Sequence, residues 1–369
     1  MKRFATVLLS IGFLVANIPA KDWVTYEGKA GPGKGKHIVF MAGDEEYRSE
    51  EGLPMMAKIL AERHGFKCTV LFSINPPSWS KREIDEFKKA NKDAPEPKPG
   101  DPDPNDGNID PNESFNIPGM AALDSADLVV MLWRFRRPDD ASMKHFADYL
   151  QAGKPFIALR TSTHAFQGFP AGPYAKFNWQ NNEWKGGFGR QVLGETWVDH
   201  WGRHKSEATR GVVDAAAKDH AILRGVEEVY GDTDVYEAHP PADAKVILWG
   251  QVLKGMKSDS PPADYKRKNR MGVEQGINDP MQPVLWVRNY TNEAGKVNQI
   301  LTTTMGSATD LQNEGLRRLL VNAAYWMTGL ESKIPAKAAV DYIGDFHPTK
   351  YGFGDGKKGV KPADHELGR

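Results

Sequence analysis

Short, continuous apolar runs alternate with stretches of helical spacing over residues 37–160. HIVFMAG (37–43), FKCTVLFS (66–73), ADLVVMLW (126–133) and KPFIALR (154–160) read as strands. Leu53, Met56, Ala57 and Leu60 fall on one helical face ahead of Gly65, and DASMKHFADYLQAG (140–153) is amphipathic at the same period. Strands that are apolar throughout, rather than alternating, are covered on both faces. With helices between them they predict an α/β three-layer sandwich on a mainly parallel sheet.

The pattern then breaks down. Residues 75–118, with NKDAPEPKPGDPDPNDGNIDPNES at their centre, are rich in Pro, Asp and Asn and predict an inserted surface loop, mobile at its centre. DPDPNDGNID fails as a calcium loop, because Asp106 stands where Gly is needed and Asn112 where Glu is needed. Residues 167–205 carry Gly, Trp, Asn and Arg without regular period. Further strands are expected at 226–230, 245–250, 283–290 and 297–304, and a helix at 311–328 stopped by Gly329. The chain divides into a lead (21–36), one α/β domain (37–331) and a tail (332–369) with aromatic anchors Tyr342, Phe346, Tyr351 and Phe353.

Residues 1–20 read as a signal peptide: MKR, an apolar FATVLLSIGFLVA and a cleavage site at IPA. A periplasmic or secreted protein without a membrane anchor after cleavage is expected. The 48 basic and 48 acidic residues cancel, so charge offers no case for nucleic-acid binding. Cys68 lies mid-strand, reads as a small buried hydrophobe, and leaves no second cysteine for an internal disulfide.

In open α/β sheets ligands sit beyond the carboxyl ends of the strands. The first strand runs into GDEEYRSEE, with five acids among residues 44–51. The third predicted strand runs into Arg134, Phe135, Arg136 and Arg137, and the fourth into Arg160, Thr161, Ser162, Thr163 and His164. Their convergence would line a crevice for a polyhydroxylated ligand. Part of the acidity has a simpler origin: Ser49 suits an N-cap, and Glu50 and Glu51 a first helical turn. For Glu45, Glu46 and Arg48, a site role and a structural ion pair with Arg134 or Arg136 both stay open. Ser162 with His164 lacks the glycines of a G-x-S-x-G elbow, which argues against a serine hydrolase. HWGRH spaces His200 and His204 so that a helix would put them on one face; a zinc site would join them to His164, Asp232 or Asp234.

VFMAGDEEYRSEEGLPMMAKILAERHGFKCTVLFS, LDSADLVVMLWRFRRP, GKPFIALRTSTHAF, DHAILRGV and LTTTMGSATDLQNEGLRRLLVNAAYWMTGLE, together with the tail YGFGDGKKGVKPADHEL, resemble the ThuA-like (trehalose-utilisation) family, in particular its exported planctomycete-type members. The resemblance implies a flavodoxin-like, class I glutamine amidotransferase-like fold and a role in sugar catabolism through 3-keto-glycosides. It also exposes departures. No Cys stands in Leu159–His164, so glutamine hydrolysis is excluded, and the family's late Gly-His is Gly306-Ser307 here.

The resulting expectation is hydrolysis, elimination or isomerisation of a disaccharide or keto-glycoside, with no resident cofactor. Glu46 or His164 would serve as base and Arg134 or Arg160 as stabiliser. Asp44, Glu45, Tyr47, Arg48, Arg136, Thr161, Ser162, Thr163, His200 and Asp234 would contact the substrate. A non-catalytic carbohydrate-binding module and a zinc-dependent hydrolase are the alternatives.

Overall fold

A computed structural model describes residues 22–92 and 94–368. The signal-peptide reading of residues 1–20 lies outside them. A ten-stranded sheet forms the centre. Its strands are β1 (Trp23–Tyr26), β2 (His37–Gly43), β3 (Lys67–Phe72), β4 (Leu128–Trp133), β5 (Phe156–Leu159), β7 (Thr209–Val213), β8 (Val229–Gly231), β10 (Lys245–Val252), β13 (Gln282–Thr291) and β14 (Val297–Thr303). Two small ribbons pair β6 (Asp199–His200) with β9 (Tyr236–Glu237), and β11 (Lys266–Lys268) with β12 (Glu274–Gly276).

The sheet order is β1-β3-β2-β4-β5-β14-β13-β10-β7-β8. From β3 to β14 every pairing is parallel. Counted along the chain these five strands run 2-1-3-4-5, the flavodoxin-like order, whose switch point lies between the first strand and the third. Here that is the gap between β2 and β4. Past β14 the sheet continues as antiparallel hairpins, and β1 closes the other edge antiparallel to β3.

The apolar runs behave as their pattern requires. β2 sends Ile38, Phe40 and Ala42 into one core and Val39 and Met41 into the other. The first core is roofed by α1 (Ser49–His64) and α4 (Glu314–Met327), the second by α3 (Asp140–Gln151) and the turns of residues 175–193. Cys68 lies buried in β3, a small apolar filler whose thiol burial drives well above its ordinary pKa.

Two expectations need correction, and one open question is answered. The insertion is not patternless: α2 (Lys81–Ala90) starts at a reciprocal capping box between Ser80 and Glu83. Ser49 is not the N-cap of α1. Arg48 holds that position in the left-handed region (φ 58°), and the Ser49 hydroxyl instead accepts the Asp44 N–H at 3.0 Å. HWGRH is not helical, since His200 ends the short strand β6.

The tail packs back on the domain. The Thr349 N–H donates to Glu51, the Ile109 N–H of the insertion donates to the Val360 carbonyl, and the Tyr26 hydroxyl donates to the His365 carbonyl. Among the described residues no helix is long and apolar enough to cross a membrane.

Candidate functional site

The loop after β2 is tied by its own first acid. Asp44 Oδ1 accepts the N–H groups of Glu46 and Tyr47, and Oδ2 accepts the Thr161 hydroxyl. This turn sends the next two side chains to different partners. Glu45 meets Arg134 and Arg136, the latter at 2.7 Å. Glu46 meets His204, with Oε1 3.1 Å from Nε2.

The turn after β5 is also constrained. Arg160 adopts φ 37°, a left-handed value that costs a non-glycine residue. Its guanidinium is fully buried between the rings of Tyr47 and Tyr236, at 4.2 and 4.1 Å. It donates to the Asp234 carboxylate (3.0 Å), the Asp234 and Thr304 carbonyls (3.1 and 2.7 Å) and the Tyr47 hydroxyl (3.2 Å). Gly189 approaches the turn so closely that a Cβ there would lie 1.9 Å from the Thr163 carbonyl oxygen.

Asp234 is the hub. Its buried carboxylate accepts from Arg160, from His200 Nδ1 at 2.7 Å and from His204 Nδ1 at 2.9 Å. The two imidazoles are 4.4 Å apart, with His200 a third exposed and His204 a quarter exposed. Tyr351 of the tail packs against His204, and Trp197 and Tyr236 against His200.

The charges follow this geometry. Burial works against the His204 imidazolium, but the hydrogen bonds and charges of Asp234 and Glu46 outweigh it and raise its pKa to about 9. Burial likewise disfavours the carboxylates, yet His204 holds Glu46 below the ordinary range, and His200, His204 and Arg160 hold Asp234 well below it. At neutral pH Glu46, His204 and Asp234 form a carboxylate–imidazolium–carboxylate row, and the His200 ring also lies on the inner carboxylate.

The strand-end residues do gather at one end of the sheet, but they occupy separate compartments. His164 does not join the histidine pair. It is buried among Phe135, Trp179 and Trp197, with Nδ1 3.1 Å from the Thr163 hydroxyl. Burial and the nearby Arg134, Arg160 and His200 push its pKa well below 6.5. That placement corrects its reading as an open base or a third zinc ligand. Arg160 is corrected as well: its terminal nitrogens are consumed by protein acceptors, so it positions Asp234 rather than meeting a developing charge.

Ser162 donates to the Met131 carbonyl at 2.9 Å, which makes it a brace on β4 and not a nucleophile. Asp232 accepts from Thr309, and burial beside Asp310 pushes its pKa up to about 6. The Arg134 and Arg136 guanidiniums are engaged by Glu45, and Arg136 also by the Glu113 and Arg134 carbonyls.

Among the described residues, His200, His204 and Asp234 each offer one ligand atom within 4.8 Å of the others. The sequence marks His204 only as a zinc ligand and assigns no role to Tyr236 or Trp197. The i,i+4 histidine spacing was the available signal, but it acts through a turn instead of a helix.

No protein-family model matches the chain, and no curated protein sequence is similar to it. Solved structures are similar to it at low identity. One, from Bacteroides uniformis and described as ThuA-like, is 12% identical, covers 82% of this chain and 95% of its own, and has a TM-score of 0.42. A second ThuA-like structure, from Parabacteroides merdae, is 12% identical over 80% of this chain and 91% of its own, at a TM-score of 0.41. An exo-beta-1,4-mannosidase from an Opitutaceae bacterium is 7% identical over 79% of this chain and 35% of its own, at 0.30.

Proposed function

We propose that this chain is an exported ThuA-like enzyme of carbohydrate catabolism that cleaves a keto-glycoside by acid–base elimination at His200 and His204. The observation that carries the reading is His204 held between Glu46 and Asp234 while a quarter of its side chain stays open. An imidazolium with a pKa of about 9 stays loaded as a general acid at neutral pH. His200 presents Nε2 as the base, because Asp234 occupies its Nδ1.

In a 3-keto-glycoside the ketone acidifies the neighbouring C2–H. His200 takes that proton, the C–H electron pair becomes the C1–C2 double bond, and the C1–O bond breaks. The departing oxygen displaces Glu46 at His204 Nε2 and takes the proton held there. Glu46 and Asp234 keep that acid charged until the transfer.

Incubating the purified protein with 3-keto-disaccharides tests this. Release of the free sugar with loss of the C2 proton is expected, abolished in His204→Ala and His200→Ala. Unchanged turnover in both variants would overturn it.

One observation favours a second reading. Two imidazoles and a carboxylate converging within 4.8 Å suit Zn²⁺ or another first-row divalent ion. His200, His204 and Asp234 would then hold the ion, which would supply Lewis acidity and an activated water. Stoichiometric metal in untagged protein, lost in His200→Ala, would decide for it.

A further inference from the structure

The insertion and the tail enclose a cavity of about 310 Å³ beside the strand-end loop but outside the histidine cluster. Arg48, Trp79, Phe87, Asp103, Asn105 and Lys358 contribute to its wall. Arg48 is the anomaly. It is 1% exposed, its one side-chain hydrogen bond among the described residues is Nη1 to the Glu45 carbonyl at 3.5 Å, and its Nε and Nη2 have no hydrogen-bond partner among them.

Among the described residues no acid forms an ion pair with it, although its charge acts on Glu50. Glu45 is spent on Arg134 and Arg136. Burial pushes Glu50 up to about 8, so it is largely protonated at neutral pH. An unpaired buried guanidinium is costly, and an anion that reached it would recover that cost.

The wall has further open valences. Asp103 is 5% exposed; its Oδ1 accepts the Asn105 N–H, its carboxylate lies beside the Glu83 carboxyl, and Oδ2, with no other hydrogen-bond partner among the described residues, has a lone pair left for a hydroxyl. Trp79, packed edge-to-face on Phe87, adds an aromatic surface for the C–H face of a ring. A bare inorganic anion would use Arg48 and leave the rest idle.

We propose that this cavity binds a sugar acid, with its carboxylate on Arg48, a hydroxyl on Asp103 and its ring on Trp79. The cavity shares the Glu45–Arg48 loop with the acid–base cluster but none of its histidines, so binding here does not require the elimination reading to hold.

Titration calorimetry on the mature chain with glucuronate, glucose and acetate is the test. Glucuronate is expected to bind one per chain, at least about tenfold more tightly than glucose or acetate. Arg48→Gln and Trp79→Ala should each weaken it by about tenfold or more, and His204→Ala should leave it unchanged. Trp79 lies on the insertion, so its variant decides the matter if Arg48→Gln fails to fold. Absence of glucuronate binding, equal binding of acetate or glucose, or wild-type affinity in Trp79→Ala would overturn the proposal. Loss of binding in His204→Ala would also overturn it, by placing the ligand in the other site.

Discussion

Glu45 and Glu46 are chain neighbours with opposite fates. Glu45 turns toward Arg134 and Arg136, where burial is the largest influence and its pKa ends above the ordinary value despite two guanidiniums. Glu46 turns toward His204, whose hydrogen bond and charge hold it below that value. The difference lies in the partner. Arginine keeps its proton at any accessible pH, so the Glu45 cluster is a fixed brace. Histidine exchanges its proton, so the Glu46 cluster can do chemistry. Two carboxylates one residue apart thus separate structure from function.

The strongest test of this division removes the hub. Asp234→Ala leaves Arg160 buried without its counter-charge and should cost about 3–5 kcal/mol in urea denaturation. It should also bring the pKa of His204 down, since one of its two acceptors is gone. If stability were unchanged, the buried charge would not depend on this carboxylate.

The next test contrasts the two glutamates directly. Glu46→Gln should lower turnover by about 10²–10⁴-fold and cost less stability than Glu45→Gln, because His204 can release its proton when the carboxylate is lost. Glu45→Gln should do the reverse, costing about 2–3 kcal/mol through the charge left on Arg136. Equal effects of the two on both readouts would erase the distinction.

A smaller effect is expected nearby. Glu50 has a buried oxygen without a partner and a pKa raised to about 8. Its folded pKa lies above its unfolded value of 4.5, so its favourable contribution is present below pH 4.5 and is lost as pH rises through 8. Glu50→Gln should therefore stabilise the chain by about 1–2 kcal/mol above pH 8 and flatten the decline in stability approaching it. Thermal unfolding across pH 5–9 measures this.

The parallel half of the fold was legible because both faces of its strands are buried, which leaves unbroken apolar runs such as Leu128–Trp133. β1 and β7 were not, being short and half exposed. α2 was hidden because its lysines and acids face solvent and only Glu83 and Ile84 are buried.

The site was legible by halves. Asp44–Arg48, Arg134 and Arg160 follow strand ends, so topology alone placed them. His200 comes from a two-residue strand and His204 and Asp234 from irregular segments, and their meeting depends on β6 pairing with β9. Nor does sequence spacing say that Trp197 screens His164 from His200, although all three stand close along that part of the sheet.

The account rests on the proton of His204. A ¹⁵N NMR titration of the histidine side chains measures it directly. His204 should titrate near pH 9, stay an imidazolium at pH 7, and move toward the ordinary 6.5 in Glu46→Gln. A His204 that titrates at or below 6.5 in the unaltered protein would contradict the account.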